Sequence, residues 1–555
     1  MSLAARCRWR VPLRVRRRGL RLAALIRCCA LLGAVLQAQA QAQPLPAPAA
    51  PSACRLPGLP QAALCGVLRR ALDPARPQGV VIDVHYAVVP ALARRKAGDA
   101  VFFLAGGPGQ SAVHLAGVLA SRYARLGQRR DLVFVDLRGT GRSAPLFCAD
   151  DDERAALQPL AARADAAARL DRLRDCRLAL QALPHGDLRF YTTSLAVADV
   201  DAVRQALGLA QIDLIAASYG TRAALDYLRL FPTRVRRAVL DGVAPPDMRL
   251  PDAAARDNQA TLDSLLAACA AEPACARAHP ALRAQWLALL DSLPRDVTLP
   301  HPLTGRPETV RLQRDSVLAM VRAPLYAPAL AAALPMVIAQ AAQGRWAPLA
   351  ALAAALGGGG GAGAMATGLH FSVVCAEDLG PATPPPDPAD VAAGSASGNV
   401  SGNVSGNASG NASGNPSGNA FGASFSTLYR QACADWPRGR VDPAFYTLPP
   451  VSAPTWLLSG GLDPVTPPRH GARVALALGP QARHLVVANA GHGVTGLGCI
   501  RDAVVRFIAT EDAAAALATP ADCAAGVPRP PAFLPPGSAL AAASPASSAP
   551  SGAAR

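Results

Sequence analysis

Residues 216–220, Ala-Ala-Ser-Tyr-Gly, hold the side chain most suited to covalent chemistry. Ile212, Leu214 and Ile215 form a short apolar strand that runs into Ser218. A helical pattern from Arg222 to Phe231 follows and stops at Pro232. Strand, sharp turn and helix are the context of a G-x-S-x-G nucleophile elbow, which needs small residues two positions either side of the serine. Ala216 departs from that pattern by one methyl group, and Gly220 fits it. The turn puts the Tyr219 N–H at a helix N-terminus, where it can face an oxyanion. A serine hydroxyl is a weak nucleophile at neutral pH and needs a histidine base held by a carboxylate. His492 lies in Gly491-His492-Gly493 after the last strand pattern, and Asp463 follows an earlier one in Gly461-Leu462-Asp463-Pro464. Of nine histidines, only His492 sits in such a turn. Asp241 is the alternative acid. The turn Ala105-Gly106-Gly107-Pro108-Gly109 also follows a buried strand. Pro108 has no N–H, so Gly106 or Gly107 is the candidate second oxyanion donor.

The elements that must position these residues read as a strand–helix alternation. Strand patterns cover Val80–Val89, Ala100–Leu104, Asp131–Asp136, the run before Ser218, Arg237–Val243, Thr455–Ser459 and His484–Ala488. Leu195–Leu207 is an amphipathic helix and Arg501–Ile508 a closing one. Asp136 and Arg138, in Asp-Leu-Arg-Gly-Thr-Gly-Arg-Ser, are read as turn formers. A nucleotide-binding reading of that Gly-x-Gly fails for want of the third glycine and a ribose-binding acid. Residues 254–355 alternate helical segments with Pro-containing loops, an insertion in the strand pattern. Residues 395–419 are a Ser-Gly-Asn repeat that cannot bury apolar area and reads as a flexible surface loop. The chain from 524 to 555 reads as a disordered tail.

The 555 residues carry a formal charge of +17, yet nine arginines fall within residues 1–42, which hold no acid. The remaining basic residues are scattered, with no stripe interleaved with aromatics, which excludes a nucleic-acid surface. Residues 1–42 read as an export signal: a basic region to Arg21, an apolar stretch to Leu36 and A-x-A sites ending at Ala42. Arg27 interrupts the apolar stretch, which is too short for a membrane span, and no later segment reads as one. Ten cysteines follow this leader. An even count in an exported chain points to disulfides, and five sequential pairs are the simplest expectation. No metal-ligand spacing accompanies them.

Together these pieces resemble the serine aminopeptidase branch of the α/β-hydrolases, the proline iminopeptidases and secreted tripeptidyl aminopeptidases. The resemblance rests on Gly106-Gly107-Pro108-Gly109, Asp136 to Ser143, Ser218-Tyr219-Gly220, Asp463 to Pro467 and Gly491-His492-Gly493. It spans about residues 54 to 523. Cys375-Ala376-Glu377-Asp378 is similar to the secreted tripeptidyl group. The resemblance implies an α/β-hydrolase fold, a mostly parallel central sheet flanked by helices with an inserted helical cap. The expected organisation is a signal at 1–42, core at 43–244, cap at 245–372, core at 373–523 and a tail at 524–555. The cap is expected between the sixth and seventh core strands.

The implied protein is a periplasmic or secreted serine exopeptidase acting on peptides without metal or organic cofactor. Ser218, Asp463 and His492 are the expected triad, and Gly106, Gly107 and Tyr219 the expected oxyanion donors. An exopeptidase also needs a carboxylate for the free ammonium. Glu377 and Asp378, where the chain returns from the insertion, are the candidates, Glu377 first. Two alternatives stand beside this reading: an esterase or lipase with the same triad, and an exported binding protein in which the repeat does the work.

Overall fold

A computed structural model describes residues 50–355, 365–395, 420–422 and 424–534. The expected signal at 1–42 and the repeat at 395–419 lie outside the described residues, apart from the backbone of Ser395. The described chain is built on a nine-stranded sheet of order β1-β2-β3-β5-β4-β6-β7-β10-β11. Its first strands are β1 (Ser52–Cys54), β2 (Ala63–Ala71), β3 (Val81–Val89), β4 (Ala100–Leu104) and β5 (Asp131–Val135). They are followed by β6 (Ile212–Ala217) and β7 (Val235–Asp241). After the insertion come β10 (Thr455–Gly460) and β11 (Ala482–Val487). β1, β2, β3 and β5 pair antiparallel in turn, and every other pairing in the sheet is parallel. This is the α/β-hydrolase architecture.

Every residue of β4 and β10 is buried, as continuous apolar runs in a sheet covered on both faces require. Two apolar clusters flank the sheet. Phe102, Leu214 and Leu240 belong to one, and Phe103, Ile215 and Val239 to the other, so strand alternation feeds both faces.

β1 and β2 were not among the expected strands. β1 has only three residues, too few to show a pattern. β2 carries Gly66 in mid-strand and two arginines, Arg69 and Arg70, near its end, which hides its pattern. A Cβ on Gly66 would stand 2.2 Å from the Tyr86 ring on β3, so the glycine makes room for its neighbour. The insertion lies between the seventh and eighth strands of the sheet in chain order, β7 and β10, not between the sixth and seventh. The insertion itself holds a hairpin, β8 (Arg295–Pro300) with β9 (Pro307–Leu312), besides its helices, and has its own apolar cluster. The expected boundary at 372/373 falls inside a helix, Thr367–Glu377, whose Leu369, Phe371 and Val373 join the core cluster beside the sheet.

The ten cysteines after the leader form Cys54–Cys65, Cys148–Cys176, Cys269–Cys275, Cys375–Cys433 and Cys499–Cys523, the sequential pairing expected. Cys375–Cys433 ties the two ends of the segment that contains the repeat. The expected disordered tail needs correction at its start. Asn489 Nδ2 donates to the Val527 carbonyl, Arg529 to the Ser264 carbonyl and the Phe533 N–H to the Ala332 carbonyl. Ala532 and Leu534 pack on the insertion's cluster, which gives this stretch apolar area to bury. No described helix is long and apolar enough to cross a membrane.

The Asp136–Ser143 motif positions the glycine-rich turn. Asp136 Oδ1 accepts from Ser111 Oγ at 2.6 Å and from the Val113 N–H at 3.0 Å. A Cβ on Gly141 would stand 2.0 Å from Asp136 Oδ2, so only glycine lets the turn close over the carboxylate. Arg138 is fully buried, paired through two nitrogens with Asp199 and bonded to the Leu72 and Phe190 carbonyls. Asp136 acts as expected, as a turn former, whereas Arg138 ties the turn to three distant segments.

Candidate active site

β6 ends in the sharp turn that the sequence required. Ser218 has φ 57° and ψ −128°, a left-handed conformation that costs a non-glycine residue of order 1–3 kcal/mol. Its N–H donates to the Asp241 carbonyl at the end of β7 at 2.9 Å, and the helix Tyr219–Leu230 starts directly behind it. A Cβ on Gly220 would stand 2.2 Å from the Leu104 carbonyl oxygen, which explains the glycine. Ala216 is buried and its methyl group is accommodated.

The turn after β4 reaches the same place. A Cβ on Gly106 would be 3.0 Å from Ser218 Cβ, so the Gly106 backbone lies against the serine. Gly107 has φ +113° and lines a pocket with Pro108, Ser218 and Tyr219. The expected oxyanion residues are therefore gathered around Ser218.

Asp463 follows β10 and His492 follows β11, adjacent parallel strands. His492 Nδ1 and Asp463 Oδ2 are 2.8 Å apart. Asp463 Oδ1 accepts from the Val465 and Thr466 N–H groups at 2.8 and 2.9 Å. Thr466 Oγ1 donates to Asp463 Oδ2 at 2.8 Å and lies 3.2 Å from His492 Nδ1. Among the described residues His492 Nε2 has no hydrogen-bond partner, which leaves that nitrogen for a serine or substrate proton. Burial opposes charge on His492, but Asp463, and after it Asp241, outweighs burial and raises the imidazole above its ordinary value. Burial likewise opposes charge on Asp463, yet His492 and the two backbone N–H groups hold its carboxyl below the usual range.

Sequence reasoning left Asp241 as the alternative acid. The structure gives it another task. Its carboxylate accepts from the Val494 N–H, the Thr495 N–H and Thr495 Oγ1, anchoring the chain just beyond His492. Two further positioning contacts had no sequence signal. The His492 N–H donates to the Tyr326 carbonyl at 3.0 Å, and the Tyr326 ring meets the imidazole edge-on at 5.3 Å. Tyr326 belongs to the insertion, 166 residues away in sequence, and no periodicity marks it.

The two candidate amine-binding acids separate. Both are buried. Glu377 accepts from the Thr193 N–H and Oγ1 at 2.6 and 2.8 Å, and does not line the pocket. Burial, acting against Arg222 and Thr193, pushes its carboxyl up to about 7. Asp378 does line the pocket that contains Ser218. It pairs with Arg222 Nη1 at 2.6 Å and accepts from the Leu250 N–H at 2.9 Å. The order expected from sequence is thus reversed: Asp378, not Glu377, reaches the cleft. The reason is helical spacing, since Val374 and Asp378 lie four residues apart and share the pocket face.

Such an arrangement can attack an acyl carbon, stabilise the oxyanion and shuttle one proton. The comparisons agree with the fold. The family model described as alpha/beta hydrolase fold matches residues 99–345, which hold Ser218. The model described as TAP-like protein matches residues 418–517, which hold Asp463 and His492. The chain has the α/β-hydrolase fold and, among proteins of that fold, resembles the serine aminopeptidase branch. It is 30% identical over 292 residues to the serine protease Hip1 of Mycobacterium tuberculosis, covering 49% of this chain and 54% of that protein. It is 30% identical over 205 residues to a tripeptidyl aminopeptidase of Streptomyces coelicolor, covering 34% of this chain and 36% of the other. These matches span about half, or less, of the relatives' own length. A proline iminopeptidase-related protein from Thermus thermophilus is similar at 17% identity and a TM-score of 0.33, over 82% of this chain and 98% of that one.

Proposed function

We propose that this protein is an exported serine exopeptidase that releases short N-terminal units from peptides through an acyl-enzyme on Ser218. The observation that carries the reading is the Asp463–His492 pair, 2.8 Å apart, whose partner Thr466 lines one pocket with a serine held at positive φ. Its setting in a TAP-like segment favours peptides over simple esters. His492 takes the Ser218 proton as the hydroxyl attacks and gives it to the departing amine. Water, deprotonated by the same imidazole, then releases the acyl group. Asp463 holds the imidazole tautomer, and Thr466 holds Asp463. The Tyr219 N–H and an N–H from Gly106 or Gly107 meet the oxyanion.

The free ammonium of the substrate docks at the Asp378 end of the pocket, with Glu377 behind it. When Glu377 is ionised, Arg222 leaves this group of three with one net negative charge, which suits a cation. Five disulfides support export, because they persist in oxidising compartments.

Free and N-acetylated peptide anilides, assayed on wild type and Ser218→Ala, test the proposal. Turnover of free-amine peptides that vanishes in Ser218→Ala supports it. Equal turnover of blocked and free substrates would rule out the exopeptidase reading, and turnover of acyl esters alone would favour the esterase.

A further inference from the structure

The proposed reaction leaves the hydrogen bonds of two buried titratable side chains without a task. His370 and Glu377 stand seven residues, or two turns, apart on the helix Thr367–Glu377, where the chain returns from the insertion. Each reaches a different arm of the expected oxyanion hole.

The helix begins against the first arm, the glycine-rich turn after β4. The Ala366 N–H donates to the Gly109 carbonyl at 3.0 Å. A Cβ on Gly109 would stand 2.7 Å from Met365 Cγ and 2.9 Å from the Ala366 oxygen, so the two segments touch. One turn further on, His370 Nδ1 is 3.3 Å from the Pro108 carbonyl and Nε2 is 2.7 Å from the Tyr429 hydroxyl. A carbonyl only accepts, so in the neutral ring Nδ1 carries the proton and Nε2 accepts from Tyr429. Burial, against the Pro108 bond, pushes the imidazole down to about 4, which keeps the ring neutral at ordinary pH. Pro108 itself lines the pocket with Gly107 and Ser218.

Glu377 reaches the second arm. It accepts from the Thr193 N–H and, through Oε2, from Thr193 Oγ1. That hydroxyl has given its proton to the carboxylate and accepts from the Tyr219 hydroxyl at 2.8 Å. Tyr219 follows Ser218, and its N–H is the other expected oxyanion donor. The helix between these two contacts is fastened. Cys375–Cys433 ties it to the helix Ser424–Ala434, which supplies Tyr429. Trp436 Nε1 donates to Ser372 Oγ at 3.0 Å, and the Phe371 ring packs on Tyr429 at 5.2 Å.

We propose that His370 and Glu377 are positioning residues for the oxyanion hole: His370 holds the Gly106-Gly107-Pro108 turn, and Glu377, through Thr193, holds Tyr219. This rests on the acyl-transfer reading of Ser218 and adds what fixes its donors. Oxyanion donors lower the barrier when they are aimed before the reaction starts, since turning them during the step costs free energy. A turn with two glycines has little stiffness of its own, so a clamp from a fastened helix supplies it.

Steady-state kinetics on a free-amine peptide anilide and on an acyl ester test the clamp, since both substrates develop the same oxyanion. His370→Leu removes the bond to Pro108. Thr193→Val removes the hydroxyl link to Tyr219 and keeps Glu377 and the Thr193 N–H. In each, kcat should fall roughly tenfold, short of the loss of about 10²–10³ when a donor itself is removed, while KM stays within about twofold. Tyr219→Phe should match Thr193→Val, and His370→Asn, which keeps an N–H near the place of Nδ1, should recover most of the loss. Tyr429→Phe removes only the hydroxyl that orients the ring and should show the same split if His370→Leu does not fold. A peptide aldehyde, whose adduct with Ser218 puts an oxyanion in the hole, should lose affinity by the factor lost in kcat/KM. The matching alcohol, which forms no adduct, should bind as it does to wild type. Unchanged kcat in His370→Leu, or in Tyr429→Phe where it stands in, would overturn the role of His370, and unchanged kcat in both Thr193→Val and Tyr219→Phe that of Glu377. Equal losses for aldehyde and alcohol would reduce both residues to support of the fold and overturn the clamp. Failure of the exopeptidase reading shows differently, as ester hydrolysis without peptide cleavage in wild type, and the ester then carries the same comparison.

Discussion

Ser218 and His492 are positioned by different parts of the molecule. Everything that holds Ser218 belongs to the sheet and the turns at its strand ends: the Leu104 carbonyl against Gly220, the Asp241 carbonyl on its N–H, and Gly106 beside it. His492 is held from two sides. The sheet contributes Asp463 and, through Val494 and Thr495, Asp241. The insertion contributes the Tyr326 carbonyl and ring. A Cβ on Gly491 would stand 2.4 Å from the Tyr326 oxygen and 2.6 Å from Pro328 Cδ, so the insertion presses directly on the histidine turn. The proposed nucleophile is therefore a property of the core, whereas the proposed base is shared between core and insertion. A change in the insertion can disturb catalysis with the elbow untouched.

The largest expected effect comes from the nucleophile. Ser218→Ala should fold normally and lose roughly 10⁴- to 10⁶-fold in turnover, with His492→Ala nearly as damaging and the double variant little worse. Far greater loss in the double variant would mean that the two residues do not act together.

The glycines separate the two regions. Gly220→Ala forces a methyl group into the β4 backbone and should lower thermal stability by about 1–3 kcal/mol as well as activity. Gly491→Ala pushes on the insertion, so kcat should fall more than thermal stability does. Equal Tm losses in the two variants would show that the histidine turn is as much a part of the core as the elbow.

The pH profile sharpens the account of His492. The base must be neutral, and its folded pKa is raised. Activity should therefore rise with pH through an acid limb above the ordinary histidine value of about 6.5. In Asp463→Asn burial is opposed only by Asp241, so the limb in kcat/KM should move down while kcat drops steeply. A limb that stays in place would separate Asp463 from the titration.

Reduction of the disulfides gives a smaller test of the same contrast. Loss of Cys375–Cys433, in Cys375→Ala/Cys433→Ala, should cost about 2–4 kcal/mol in thermal or denaturant unfolding. Smallest of all, Tyr326→Ala keeps the carbonyl but removes the ring from His492. An aromatic contact of about 0.5–1.5 kcal/mol corresponds to a two- to tenfold fall in kcat. An unchanged kcat would leave the carbonyl as the insertion's whole contribution.

The sequence by itself determined the elbow at Ser218, the order of serine, aspartate and histidine, most strands of the sheet and the sequential cysteine pairs. These features are local. A buried strand is an apolar run, a sharp turn needs small residues, and a disulfide between neighbouring cysteines closes the chain nearest to hand. The edge strands escaped notice because β1 has only three residues and β2 carries Gly66 for the sake of Tyr86 on another strand. Tertiary structure alone decided that Asp378 rather than Glu377 meets the pocket, that Asp241 anchors the turn beyond His492, and that Tyr326 holds the histidine backbone. Each of these depends on contacts between segments far apart in the chain, and such contacts are set by how the elements pack, which no spacing within one element records.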